Sequence, residues 1–136
     1  MPTPLNLPTP VVTSGGTIAA GSETVIATSA GLIVDTPQSK VVLRALVDLT
    51  IGTNGVGVTL KLKRGTTTGG TAITAGETWG PYVVVATHEY QFSASGYDIP
   101  GLCHGQQYVL TATIASGSAT TTINNVVLEA FVSAST

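Results

Sequence analysis

The sequence predicts an all-β protein, a jelly-roll β-sandwich preceded by an extended proline-rich N-terminal arm. Three observations carry this. Apolar residues alternate with Thr, Ser, Gly and Lys over blocks of strand length, and many are β-branched. Turn chemistry rich in Gly, Asn and Pro separates the blocks. Only 9% of the 136 residues carry charge, against roughly 25% in an ordinary soluble domain. Uncharged Thr, Ser, Gly and Ala fill the polar positions, so much of the surface is expected to be covered by partners, copies of itself or a larger assembly.

The arm comes first. Residues 1–16 hold Pro2, Pro4, Pro8 and Pro10. Proline fixes φ and lacks a donor, which excludes a helix or a central strand there. The stretch is read as polyproline-like, with Leu5, Leu7, Val11 and Val12 as apolar teeth. It is either a disordered tail or an arm that orders on a neighbouring subunit or a capsid. Residues 17–136 form the expected sandwich domain.

Strands are predicted at about 23–28 and 31–35, around Gly31. The segment 40–51 fits two periods. Strict alternation puts Val41, Leu43, Ala45, Val47, Leu49 and Ile51 on one face, while Val42, Ala45, Leu46 and Leu49 suit a helix. Its β-branched content favours the strand. Asn54-Gly55 follows and signals a hairpin. Val56, Val58, Leu60 and Leu62 then alternate with Gly57, Thr59, Lys61 and Lys63, one face dry and one wet. A short strand near 71–74 leads to a turn-rich corner, AGETWGP. Strands at 82–87 and 89–95 are separated by little, and GYDIPGLCHGQQ reads as a loop. Strands from 108 to 114 and after Ser116-Gly117 end the chain, with Asn124-Asn125 breaking or bulging the last. An immunoglobulin-like sandwich would show Cys…Trp…Cys, which is missing.

Composition removes several functions. Cys103 is the single cysteine, so no intramolecular disulfide forms. With only His88 and His104 beside it, a Cys₄ or Cys₂His₂ zinc site is excluded. A net charge of −2 gives no drive toward nucleic acid. Lys61, Lys63 and Arg64 read as a solvated strand face. No run approaches the roughly 18 apolar residues of a spanning helix. Met1–Pro10 lacks the pattern of a signal peptide, so synthesis and folding in a cytoplasm are expected unless a leader has been removed.

Candidate sites are few. Cys103-His104 looks like a thiol–imidazole pair, but adjacent residues rarely meet the geometry, and Cys103 suits a small buried hydrophobe. No enzymatic activity, metal or cofactor is expected. The acidic residues are dispersed; Asp98 in GYDIPG suits a turn better than a calcium loop. Trp79, Tyr82 and Tyr97, with Glu77 and Asp98 as hydroxyl acceptors, are candidates for stacking a glycan. The favoured alternative puts Trp79 at the end of the sandwich or in a subunit interface.

The blocks SETVIATSAGLIVD, KVVLRALVDLTIGTNGVGVTLKLKRGTT and QQYVLTATIASGSATTTINNVVLEAFV resemble head decoration, or cement, proteins of tailed bacteriophages with a tumour-necrosis-factor-like sandwich. The resemblance runs from about Ser22 to Ser133 and lies in strand-length blocks and Thr/Gly/Ala bias. The proline-rich start departs from it. The resemblance implies a homotrimer on the outer surface of an icosahedral head, bound to the major capsid protein, with no catalytic residues, and made in the host cytoplasm. The competing function is a receptor- or glycan-binding virion module.

Overall fold

The structure is a computed structural model and describes residues 11–13, 15–52, 57–85, 88–115 and 121–133. Among them there is no helix. The strands are β1 (Val11–Thr13), β2 (Thr17–Ile18), β3 (Glu23–Thr28), β4 (Leu32–Val34), β5 (Lys40–Thr50), β6 (Val58–Arg64), β7 (Thr71–Ala72), β8 (Thr78–Tyr82), β9 (Glu89–Asp98), β10 (Cys103–Gln106), β11 (Tyr108–Ile114) and β12 (Thr121–Ser133).

Their pairing is nested. β1 pairs with β12, β3 with β11, β4 with β10, β5 with β9 and β6 with β8, all antiparallel. The chain therefore doubles back once, between β6 and β8, into a long ribbon. Rolling that ribbon brings β12 against β5 and β11 against β6. Two main sheets result, β1-β12-β5-β9 and β3-β11-β6-β7, with β2 added to β12 and β8 added to β6, while β4 and β10 form a separate two-stranded sheet. This is the predicted jelly roll.

The ribbon explains where local signals misled. Asn54-Gly55 lies outside the described residues, but the strands on either side of it do not pair: β5 and β6 stand in different sheets. In a rolled ribbon, consecutive strands follow one another along the same arm, so β5 and β6 can lie in different sheets. The same holds for β11 and β12. Strand β8 occupies the corner TWGPY, and residues 83–85 after it are not strand. The expected loop contains β10, which pairs with β4. Of the predicted arm, Val11–Thr13 is an edge strand of the chain's own sheet, while Leu5 and Leu7 lie outside the described residues. The expected irregularity at Asn124-Asn125 is a register shift in one continuous β12.

The ambiguous segment 40–51 is a strand. Val41, Leu43, Ala45, Val47 and Leu49 all face inward, against Leu60, Leu62, Leu110, Ile114 and Leu128. The other parity, including Arg44 and Leu46, faces out. We expect Leu43→Ala to cost about 3 kcal/mol, and Leu46→Ser less than about 0.5 kcal/mol, in urea unfolding of the isolated protein.

Candidate functional site

The two sheets present very different outer faces. The outer face of β3-β11-β6 is closed by its own side chains. Lys63 lies flat across it, only 7% exposed. Its Nζ stands 2.7 Å from Glu23 Oε2 and donates to the Thr68 carbonyl at 2.7 Å. Thr111, fully buried, donates to the same Glu23 oxygen at 2.6 Å. Burial alone would raise the Glu23 carboxyl, but Lys63 and Thr111 hold it below its usual range. The expected solvated basic face is therefore corrected: Lys63 and Arg64 are both committed to carboxylates, because long side chains can cover apolar surface while their charged ends find partners.

The outer face of β1-β12-β5-β9 is open. Register places Val12, Val127 and Leu46 in one row across three strands. Val12 is 63% exposed and Leu46 62%. The next row is Glu129, Arg44 and Ser95, and beyond it stand Phe131, Val42 and Tyr97. Arg44 lies over the Phe131 ring at 5.5 Å and Lys40 over the Tyr97 ring at 4.6 Å. At the far end, the Asn124 amide, pushed out by the bulge, donates to Asp48, Thr50 and Glu89. A groove of about 340 Å³ runs over the middle, with Leu46 and Val127 on its floor and Trp79 as a wall.

Trp79 reaches this face because the segment before β8 crosses the β9 edge. Ala75 and Tyr97 exchange backbone hydrogen bonds, both 3.0 Å. Gly76 then passes directly over Gly96: a Cβ on Gly76, whose φ is +88°, would stand 2.5 Å from the Ser95 carbonyl oxygen. The indole N–H donates back to the Gly76 carbonyl at 2.8 Å. Trp79 and Tyr97 line one shallow depression with Lys40 and Arg44. Tyr82 does not join them. It stacks on Phe92 at 5.1 Å, with Tyr90 beyond, inside the sandwich. Val11 pairs with Leu128 of its own sheet. Cys103 and His104 are successive residues of β10, so their side chains leave on opposite sides. Among the described residues, no group of three or more His, Cys, Asp or Glu is placed to hold a metal ion.

Asp98 is the polar centre that sequence reasoning took for a turn residue. It is fully buried at the end of β9. Arg64 donates to both its oxygens at 2.7 Å. The Tyr108 hydroxyl donates at 2.8 Å, and the Thr74 amide and hydroxyl at 3.2 and 3.1 Å. Burial pushes the carboxyl up; Arg64, Tyr108 and Thr74 overcome that and hold it below its usual range. The Tyr108 phenol is driven far up by burial and by the carboxylate beside it. With all donors turned onto one carboxylate, the cluster joins strands of both sheets and has no oxygen to offer a substrate. An Arg three strands earlier in the chain and a Tyr two strands later gave no local signal.

No protein-family model matches the chain, and no curated protein does. Solved structures do. A chain in the structure of the infectious bursal disease virus Gx strain superposes with a TM-score of 0.53 at 10% identity, covering 93% of this chain. A chain of the infectious bursal disease virus VP2 subviral particle gives 0.52 at 9% identity, again over 93%. This chain spans about a third of the length of each, 34% and 33%. The likeness is one of fold.

Asp98→Asn is expected to cost about 3 kcal/mol, since it leaves Arg64 without its counter-charge. The sign with pH is fixed by the lowered carboxyl. An unfolded Asp ionises near ~3.9; the folded one stays charged below that, so its contribution is complete at neutral pH and drains away as pH falls through the folded value. Urea unfolding between pH 7 and 2 should therefore show a shallower loss of stability in Asp98→Asn, with Glu23 supplying the remainder.

Proposed function

We propose that the chain is a structural protein of a virus particle, docking through the outer face of β1-β12-β5-β9. In the finer reading it is a decoration, or cement, protein on the outer surface of a tailed bacteriophage head. There a homotrimer bridges subunits of the major capsid protein and resists pressure from within. The observation that carries this is the open apolar row Val12–Val127–Leu46 beside Trp79, on a jelly roll whose other outer face is already closed. The fold shared with a chain of a subviral particle supports it, as does the scarcity of charge. An apolar row makes many weak contacts without stripping water from ions, with Arg44 and Glu129 beside it to set the orientation, and symmetry multiplies them. Val12 belongs to this face; Leu5 and Leu7 would extend the contact from the N-terminal segment.

A second reading is a glycan-binding virion module. The observation in its favour is that Trp79 and Tyr97 share one depression. Lys40 already covers one face of Tyr97, which leaves Trp79 to do the stacking. Trp79→Ala separates the two. Loss of glycan binding with intact head attachment supports adhesion; loss of head attachment or of the oligomer supports the structural role.

Leu46→Glu is the direct test. It puts a charge in the centre of the row while leaving the core untouched. On sedimentation with purified heads that lack the protein, binding should weaken at least roughly tenfold, or about 1.4 kcal/mol, with the unfolding temperature unchanged. Undiminished binding would remove this face as the contact.

A further inference from the structure

We propose that the outer face of β1-β12-β5-β9 is complementary to itself, so that two copies of the chain pair face to face about a two-fold axis running along the strands between β12 and β5. The pairing gives the docking face a second partner and does not depend on a virion. It starts from two charges that stand side by side without meeting. Glu129 and Arg44 are directly opposite on β12 and β5, where Cβ atoms lie about 5 Å apart. The Arg44 guanidinium lies over the Phe131 ring instead. The ion pairs among the described residues are Lys63 with Glu23 and Arg64 with Asp98. Glu129, half-buried, has no hydrogen bond or ion pair to any described residue. Asp48, further along the same face, already receives the Asn124 amide.

A two-fold along the strands exchanges β12 and β5 and keeps every row in place. Each outward side chain of β12 then faces the β5 residue of its own row on the other copy. Val127 of one copy meets Leu46 of the other, and Phe131 meets Val42, apolar on apolar. Glu129 meets Arg44, and the reciprocal contact repeats it across the axis. Asn125 meets Asp48, an amide donor on a carboxylate. Further out, β1 of one copy faces β9 of the other, which brings the exposed Val12 to Ser93 on the side of the groove that Trp79 walls. Other axes match worse. An axis over β5 alone sets Arg44 on Arg44 and Asp48 on Asp48. One across the strands at Leu46 sets Glu129 on Asn125 and Val42 on Thr50, and gives Glu129 no base. The geometry is that of aligned sheets about 10 Å apart. Three strands by five rows cover roughly 500 Å², so a pair buries about the 1,000 Å² that a specific interface needs. The same patch is used on both copies, so the contact closes on itself instead of running into fibres. In the trimeric reading it joins two trimers.

The test is complementation between two charge reversals, read as mass by sedimentation equilibrium. Arg44→Glu brings acid against acid on both sides of the axis, and Glu129→Arg brings base against base. Either variant alone should pair at least roughly tenfold more weakly than the native protein. Native protein should reach twice the mass of the unit, one chain or three, to which the single variants fall. Mixed in equal amounts, the two variants again set an acid against a base at both contacts, and the mixture should pair as the native protein does. Neither side chain belongs to the core, and no effect within one chain can produce recovery on mixing. A native protein that never doubles, single variants that pair like the native one, or a mixture that stays unpaired would overturn the proposal. Sedimentation with heads is read separately. Native protein that binds heads but never pairs removes this pairing and leaves the docking reading standing; protein that pairs but ignores heads does the reverse.

Discussion

A carboxylate with no access to water has to be met on every side, and in this molecule that requirement organises one end of the sandwich. Asp98 ends β9 in the larger sheet. Its partners Arg64 and Tyr108 come from β6 and β11 in the opposite sheet. The third partner, Thr74, belongs to neither; it lies on the segment that crosses from β7 to β8. Holding Thr74 there aligns Ala75 with Tyr97, brings Gly76 over Gly96, and delivers Trp79 to the outer face. The aromatic wall of the groove is thus a consequence of a buried charge on the other side of the sheet edge. Such a pair adds little net stability over a well-packed apolar substitute, but losing one partner is costly.

The same side chains account for the asymmetry between the two outer faces. Where Lys63, Glu23 and Thr111 knit together, an ion pair and a hydrogen bond span the outer face of the smaller sheet. On the larger sheet Arg44 and Glu129 stand beside the groove and Asp48 and Glu89 at its far end, while Leu46 and Val12 stay open to contact. With 9% charged residues in the chain, there is little to keep such a face from another molecule. The proposed virion role would use that property, since the face would then be covered in the assembled particle.

The fold class was legible because alternation is local. Val41 through Ile51 announce their buried face without knowledge of any partner, and the helical alternative fails only through side-chain branching and context. Partner choice was not legible. Asn54-Gly55 has the chemistry of a hairpin, yet β5 and β6 part to different sheets, since pairing in a rolled ribbon is decided by residues far apart in sequence. The site divided in the same way. Trp79 and Tyr97 were identifiable as aromatics in turn-rich segments, and the structure brings them together, both half-buried; Tyr82 was indistinguishable from them in sequence but packs on Phe92. Asp98 in GYDIPG resembles any turn aspartate. Only the roll of the chain brings Arg64 and Tyr108 to it.

The account stands on the larger sheet's outer face being an assembly surface, and the mass of the purified protein in solution tests that most directly. Light scattering over a range of concentrations is expected to give a stable oligomer, with three times the 13.7 kDa chain mass as the value that fits the trimeric reading. A protein that stays at one chain mass at every concentration, soluble with Leu46 and Val12 exposed, would contradict the expectation that this face joins copies of the chain.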